Sequence, residues 1–111
     1  MQTLNKLAEL KQTRKLVQKI LETNIRARNS DSYLYFVVIS IRAEEKGINL
    51  KSLSVTDYLL NMQDMGFPPF ESVRRSRQHL QAAFPELAGS EAVQEARSEN
   101  EAAYVAAFAR G

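Results

Sequence analysis

The run Met65-Gly66-Phe67-Pro68-Pro69-Phe70 leaves the chain very few choices. Two consecutive prolines remove two amide donors and push the residues before them out of the helical region. No helix and no central strand can pass through this point. Gly66 suits the left-handed residue that closes a helix, and Pro69 suits the first turn of a new one. The run therefore predicts helix, rigid turn, helix, the first over residues 55–65 and the second over residues 69–84. In the second helix Phe70, Val73, Leu80 and Phe84 recur at helical spacing and predict its core side, and Pro85 stops it.

The rest of the chain extends an all-helical pattern. Residues 3–24 are good helix formers, with Leu7, Leu10, Val17, Ile20 and Leu21 on one stripe and Lys11, Arg14, Lys15 and Lys19 on the other side. Residues 25–30 break that pattern and predict a basic loop. Ser30 or Asp31 can cap a helix over residues 32–46 that Gly47 stops. Its run from Tyr33 to Ile41 is apolar nearly all round, which predicts the most buried segment of the chain. Four β-branched residues there also suit a central strand, but the cap, the length and the charged end from Arg42 to Lys46 favour helix. Residues 48–53 suit a turn or a brief extended piece. Ser54 with Asp57 resembles a capping box with Asp in place of Glu. Ser90 caps a last helix over residues 91–110, whose apolar stripe is Val93, Ala96, Tyr104, Ala107 and Phe108. The sum is an all-α chain of about five helices in one compact domain over residues 1–111, with a helix-turn-helix-like pair near residues 55–84.

Charge and composition narrow the function classes. No cysteine is present, which excludes disulfides and thiolate metal sites. The longest apolar run is too short for a bilayer, and the first residues lack the apolar stretch of a signal peptide. A cytoplasmic protein without a membrane partner is expected. The net charge of +2 hides a polarity. Residues 1–28, the basic N-terminal helix and loop, carry seven Lys/Arg against two acids, whereas residues 86–111, the acidic C-terminal helix, carry two Arg against five Glu. Such an acidic end can fold back on a basic surface or simply keep the protein in solution.

The helix after the turn carries the most suggestive chemistry. Ser72, Arg75, Ser76 and His79 fall at helical spacing away from its apolar side, flanked by Arg74, Arg77, Gln78 and Gln81. Arg, Gln, Ser and His suit phosphate and base-edge contacts, and Arg bonds guanine in a bidentate way. The expectation is a helix-turn-helix-like reader of double-stranded DNA. Arg74, Arg75, Arg77 and Gln78 would be its principal contacts and Ser72, Ser76 and His79 supplementary ones. Lys11, Arg14, Lys15, Arg26 and Arg28 would hold backbone phosphates, Lys19 lying in the same patch. An ordinary helix pair with a solvated arginine face is the plainer alternative. Tyr33, Tyr35 and Tyr58 sit among apolar neighbours and predict core packing rather than base stacking. Tyr104 and Phe108 would face a second subunit, and a homodimer would suit two DNA half-sites.

Catalysis is not expected. His79 is the sole histidine and has no companion ligands or base partners in sequence. Asp57, Asp64 and Glu71 recur at seven-residue intervals, but the turn at Gly66 breaks their common face. No cofactor or metal is implied.

Residues 26–35 (Arg-Ala-Arg-Asn-Ser-Asp-Ser-Tyr-Leu-Tyr), Leu59-Leu60, residues 66–78 and Phe84-Pro85-Glu86-Leu87 together resemble a family of small proteins encoded by phages and prophages of bacteria. The block Glu71-Ser72-Val73-Arg74-Arg75 is the most specific part. Members of that family often carry Ser or another polar cap where Pro69 stands. The resemblance implies a bacterial host cell and a DNA-related role, regulatory or associated with replication or recombination. It lends no catalytic residues. The rival expectation is an adaptor or inhibitor that docks on a host or phage protein, its arginine face meeting an acidic surface.

Overall fold

Backbone caps divide the chain into six helices among the described residues: α1 (Gln2–Thr23), α2 (Ile25–Asn29), α3 (Asp31–Lys46), α4 (Val55–Asn61), α5 (Phe70–Ala83) and α6 (Glu91–Arg110). The structure, a computed structural model, describes the backbone of residues 2–110 and the side chains of residues 8–100. Leu7, Tyr104, Ala107 and Phe108, which the sequence assigns to apolar stripes, lie outside the described side chains. No strand occurs among the described residues, so the all-α expectation holds. No helix is long and apolar enough to cross a membrane among the described residues.

Three serines start helices by satisfying amides that have no partner inside the helix. Ser30 Oγ accepts from the Tyr33 amide at 3.2 Å, Ser54 Oγ from Asp57 at 3.0 Å and Ser90 Oγ from Val93 at 3.4 Å. Residues 25–29 are helical rather than the expected loop. The Asn24 side chain accepts from the Ala27 amide at 3.1 Å, and Ala27 is buried, so a cap and one core contact hold a short helix. α3 ends at Gly47 and the helical turns after α4 end at Gly66, both at positive φ. At Gly66 the Phe67 amide reaches back to the Met62 carbonyl at 2.9 Å and the Gly66 amide to Gln63 at 3.0 Å. This paired closure needs the left-handed residue that glycine supplies, and it swings Phe67 into the interior. Between Gly47 and α4 lies a 3₁₀ turn, Leu50–Ser52, and a second, Pro85–Leu87, follows α5.

The core is built by Val17, Ile20 and Leu21 of α1, Ala27 of α2, Leu34 and Val38 of α3, Val73 and Leu80 of α5, and Leu87. α1 and α5 form the most extensive helix pair, and α3 packs across both. α4 buries none of its own residues. The turn joining α4 to α5 is as the prolines require, but α5 lies against α1 and α3. An aromatic cluster pins the turn. The Tyr35 hydroxyl donates to the Pro68 carbonyl at 2.8 Å and accepts from the Tyr58 hydroxyl, while the rings of Tyr35 and Phe70 meet edge to face. Tyr58 packs in turn on Phe67.

Burial departs from the periodic pattern at helix ends and on α3. Val73 and Leu80 are buried as expected, but Phe70 and Phe84, the first residue and the C-cap of α5, are partly exposed. Leu10 is also exposed. On α3 only Leu34, Val38 and Ala43 are buried. α1 and α5 cover one side of that helix, and Phe36 stands in solvent on another.

Candidate nucleic-acid interface

The α5 arginines do not form a free basic face. Glu71, one turn before them, holds two. Arg74 donates to its carboxylate twice, at 2.7 and 3.1 Å, and Arg75 donates at 3.3 Å. Hydrogen bonding from Arg74, more than any other influence, holds the Glu71 carboxyl below the usual range. Arg75 remains largely in solvent, with its side chain 71% exposed, and His79 is exposed beside it. Gln78 and Ser72 are half-buried.

Two expected contacts face the opposite way. Ser76 and Arg77 are buried, with Arg77 only 7% exposed, and both belong to the interior side of α5 between Val73 and Leu80. Arg77 cannot reach a DNA groove from there. Its Nε and Nη2 instead donate to the two carboxylate oxygens of Asp31 at 2.7 and 3.1 Å, and Nη1 donates to Gln81 at 3.3 Å. Hydrophobic periodicity could not show this, because a bidentate pair with a residue 46 positions away lets a guanidinium occupy a core position.

The Arg77–Asp31 pair is the centre of a polar junction that ties three parts of the chain together. Arg97 of α6 donates to Asp31 at 3.5 Å, to the Gln81 side chain at 3.4 Å and to the Arg28 carbonyl at 3.2 Å. Gln81 bridges the Arg28 and Leu87 carbonyls through its amide nitrogen, at 3.2 and 3.0 Å. Two guanidiniums share one carboxylate here. Burial chiefly, and then the charge of Arg77, pushes the Arg97 pKa below its ordinary value. Arg28 is committed as well. Its Nε donates to the Leu21 carbonyl at 2.7 Å and its Nη2 to Glu22 at 3.5 Å, covering the open carbonyl end of α1. Arg28 is thus a cap rather than a phosphate contact. Among the residues of this junction Asp31 and Arg97 were not singled out as site residues. The one sequence signal is that Arg97 stands four residues after Val93, on the side of α6 that faces inward.

The largest group of the remaining cations stands on α1. Lys11, Arg14, Lys15 and Lys19 are all exposed, and none has an ion-pair partner among the described residues. Val17, Ile20 and Leu21 turn inward, which leaves Lys11, Lys15 and Lys19 at four-residue spacing along the outward side. Lys15 and Lys19 also border an open groove of about 470 Å³, whose far side carries Arg42 of α3. Arg26 of α2 stacks over the Tyr33 ring, 4.3 Å from its centre, which fixes the guanidinium while leaving it exposed. The structure therefore keeps Lys11, Arg14, Lys15 and Arg26 available, and withdraws Arg28, Ser76 and Arg77.

No group of three or more histidine, aspartate or glutamate side chains gathers in metal-binding geometry among the described residues. Comparison with protein-family models, with curated proteins and with solved structures returned no match.

Proposed function

We propose that this chain is a non-enzymatic protein of phage or prophage setting that binds double-stranded DNA, with α1 rather than α5 as the main contact element. One observation carries this reading: four exposed cations without a carboxylate partner among the described residues, Lys11, Arg14, Lys15 and Lys19, gather on the single helix α1. On α5, by contrast, Arg74, Arg75 and Arg77 are each bonded to a carboxylate, Glu71 or Asp31.

At 1.5 Å per residue the ridge from Lys11 to Lys19 is about 12 Å long. A duplex presents about seven phosphates over that length of axis. The ridge therefore meets more anions than it has cations, and each lysine finds a phosphate without a demanding register. Phosphate contacts position a protein without reading bases, so binding through α1 has low sequence specificity. Base contacts, where they occur, fall to Arg75, Gln78 and His79.

Mobility shifts with a double-stranded probe test the assignment. Replacing Lys11, Arg14, Lys15 and Lys19 with alanine abolishes the shift at moderate salt, whereas Arg74→Ala with Arg75→Ala weakens it only a few-fold. Loss of binding in the α5 variant with retention in the α1 variant returns the contact to α5. Binding unchanged in both rejects the DNA reading.

A further inference from the structure

Between α5 and α6 lies a groove of about 1220 Å³ whose charges do not balance. Among the described residues it is lined by three guanidiniums, those of Arg74, Arg77 and Arg97, and by two carboxylates, Asp31 and Glu71. One positive charge is in excess, and it falls to Arg97. Glu71 takes the short bonds of Arg74, and Asp31 takes those of Arg77. What remains for Arg97 is one bond to Asp31 at 3.5 Å and two to neutral oxygens, at 3.2 and 3.4 Å. Its Nε meets no acceptor among the described residues. The Arg97 side chain is only 24% exposed, so water screens that charge in part. A largely buried cation without a carboxylate of its own is unfavourable, and the lowered pKa of Arg97 has the same origin. An anion in the groove relieves both.

We propose that this groove binds the phosphate group of a small molecule, with Arg97 as its principal ligand, Arg77 as a fixed charge behind it and Gln78 as a neutral donor. Arg97 offers a planar fork of donors, which phosphate oxygens match in pairs. A phosphate has further oxygens that a single carboxylate lacks, and they can take donors from other walls of the groove. Gln78 on α5 is half-buried and has no hydrogen-bond partner among the described residues. Ser98 on α6, next to Arg97, is exposed and equally unused. The groove is roomy enough for a ligand of nucleotide size. No α1 cation lines it, so this site is separate from the DNA contact proposed above.

Isothermal titration calorimetry of the full chain with inorganic phosphate and with adenosine monophosphate, at fixed ionic strength and without DNA, tests the site. Tighter binding of the nucleotide identifies a phosphate ester as the ligand, and tighter binding of inorganic phosphate identifies the free ion. Arg97→Gln weakens either ligand by about tenfold or more, because a charge-assisted fork is lost. α6 buries none of its described residues, so the core of α1, α3 and α5 survives this change. Gln78→Ala weakens binding by roughly three- to tenfold. Asp31→Asn acts in the opposite direction. Without the competing carboxylate both guanidiniums turn to the anion, and phosphate binds about tenfold more tightly in protein that remains folded. A purely structural junction gives no such gain. Absence of binding by both ligands at millimolar concentration overturns the proposal. Binding that ignores Arg97→Gln and Asp31→Asn overturns it too. Replacing Lys11, Arg14, Lys15 and Lys19 with alanine leaves the affinity unchanged, and its loss there overturns the groove in favour of α1.

Discussion

Removing the charge of Asp31 is the sharpest perturbation of the fold. Its carboxylate takes the two short bonds from Arg77, at 2.7 and 3.1 Å, and a longer one from Arg97 at 3.5 Å. Asp31→Asn keeps the shape but leaves the Arg77 guanidinium, with 8% side-chain exposure, inside the protein without its counter-charge. Breaking a buried pair in this way costs about 3–5 kcal/mol. Asp31 itself is 24% exposed, so water can reach the site and the low end, about 3 kcal/mol, is expected. Asp31 also sits in the first turn of α3, where an acid adds about 0.3–1 kcal/mol against the helix dipole. Against a total of roughly 5–15 kcal/mol for a domain this size, that is a large fraction. The chain has no tryptophan, so urea unfolding is followed by circular dichroism. With a slope of about 2 kcal/mol/M the midpoint falls by roughly 1.5–2 M. Arg77→Met removes the stranded cation, so the double variant Asp31→Asn, Arg77→Met costs less than the sum of the two single changes, by about 1 kcal/mol or more. A loss below about 1 kcal/mol, or strict additivity, would show a solvated surface pair and refute the burial argument.

Three further changes test other joints. Gly89→Ala places a Cβ 2.8 Å from the Arg28 carbonyl and 2.9 Å from Asn29 Oδ1, so it costs about 1–3 kcal/mol in the same urea assay; an unchanged midpoint means the crossing of these segments is looser than described. Tyr35→Phe removes the hydroxyl that bridges Tyr58 and Pro68 and costs about 1 kcal/mol. Burial raises the Tyr58 pKa, so absorbance titration shows a tyrosine ionising above the ordinary value, and stability from its neutral hydroxyl is lost as pH rises through that raised value. Glu71 behaves oppositely. Its folded pKa is depressed, so its contribution is complete above the ordinary carboxylate pKa and disappears as pH falls through the folded value. Glu71→Gln therefore flattens the acid limb of the stability profile, and an unaltered limb would contradict the Arg74 and Arg75 contacts.

Local stereochemistry was the legible part of the sequence. Proline, glycine and capping serine act on their immediate backbone, which is why the starts of α3, α4 and α6, the closure at Gly66 and the stop at Pro85 follow from the residues themselves. Short-range polar capping by Asn24 was missed, because only the absence of a long apolar stripe marked residues 25–29. Side-chain placement was less legible. Val73 and Leu80 face inward by period, but the same period could not distinguish Arg77 from an outward arginine. That distinction depends on Asp31, brought near by the packing of α3 on α5. The fate of Arg28 depends similarly on the open end of α1, and that of Arg74 and Arg75 on how Glu71 divides itself between them. The cations of α1 were legible because nothing distant intervenes there.

Salt dependence of DNA affinity, read by fluorescence anisotropy on a labelled duplex, tests the central assignment most directly. Four phosphate contacts from Lys11, Arg14, Lys15 and Lys19 give a slope of log affinity against log salt of about −3.6, or roughly a 150-fold loss between about 50 and 200 mM. Replacing Lys15 alone with alanine should flatten the slope by about one contact, roughly 0.9. Replacing Arg77 should leave the slope unchanged in protein that remains folded. A slope that ignores Lys15 and flattens with Arg77 would contradict the placement of the binding surface on α1.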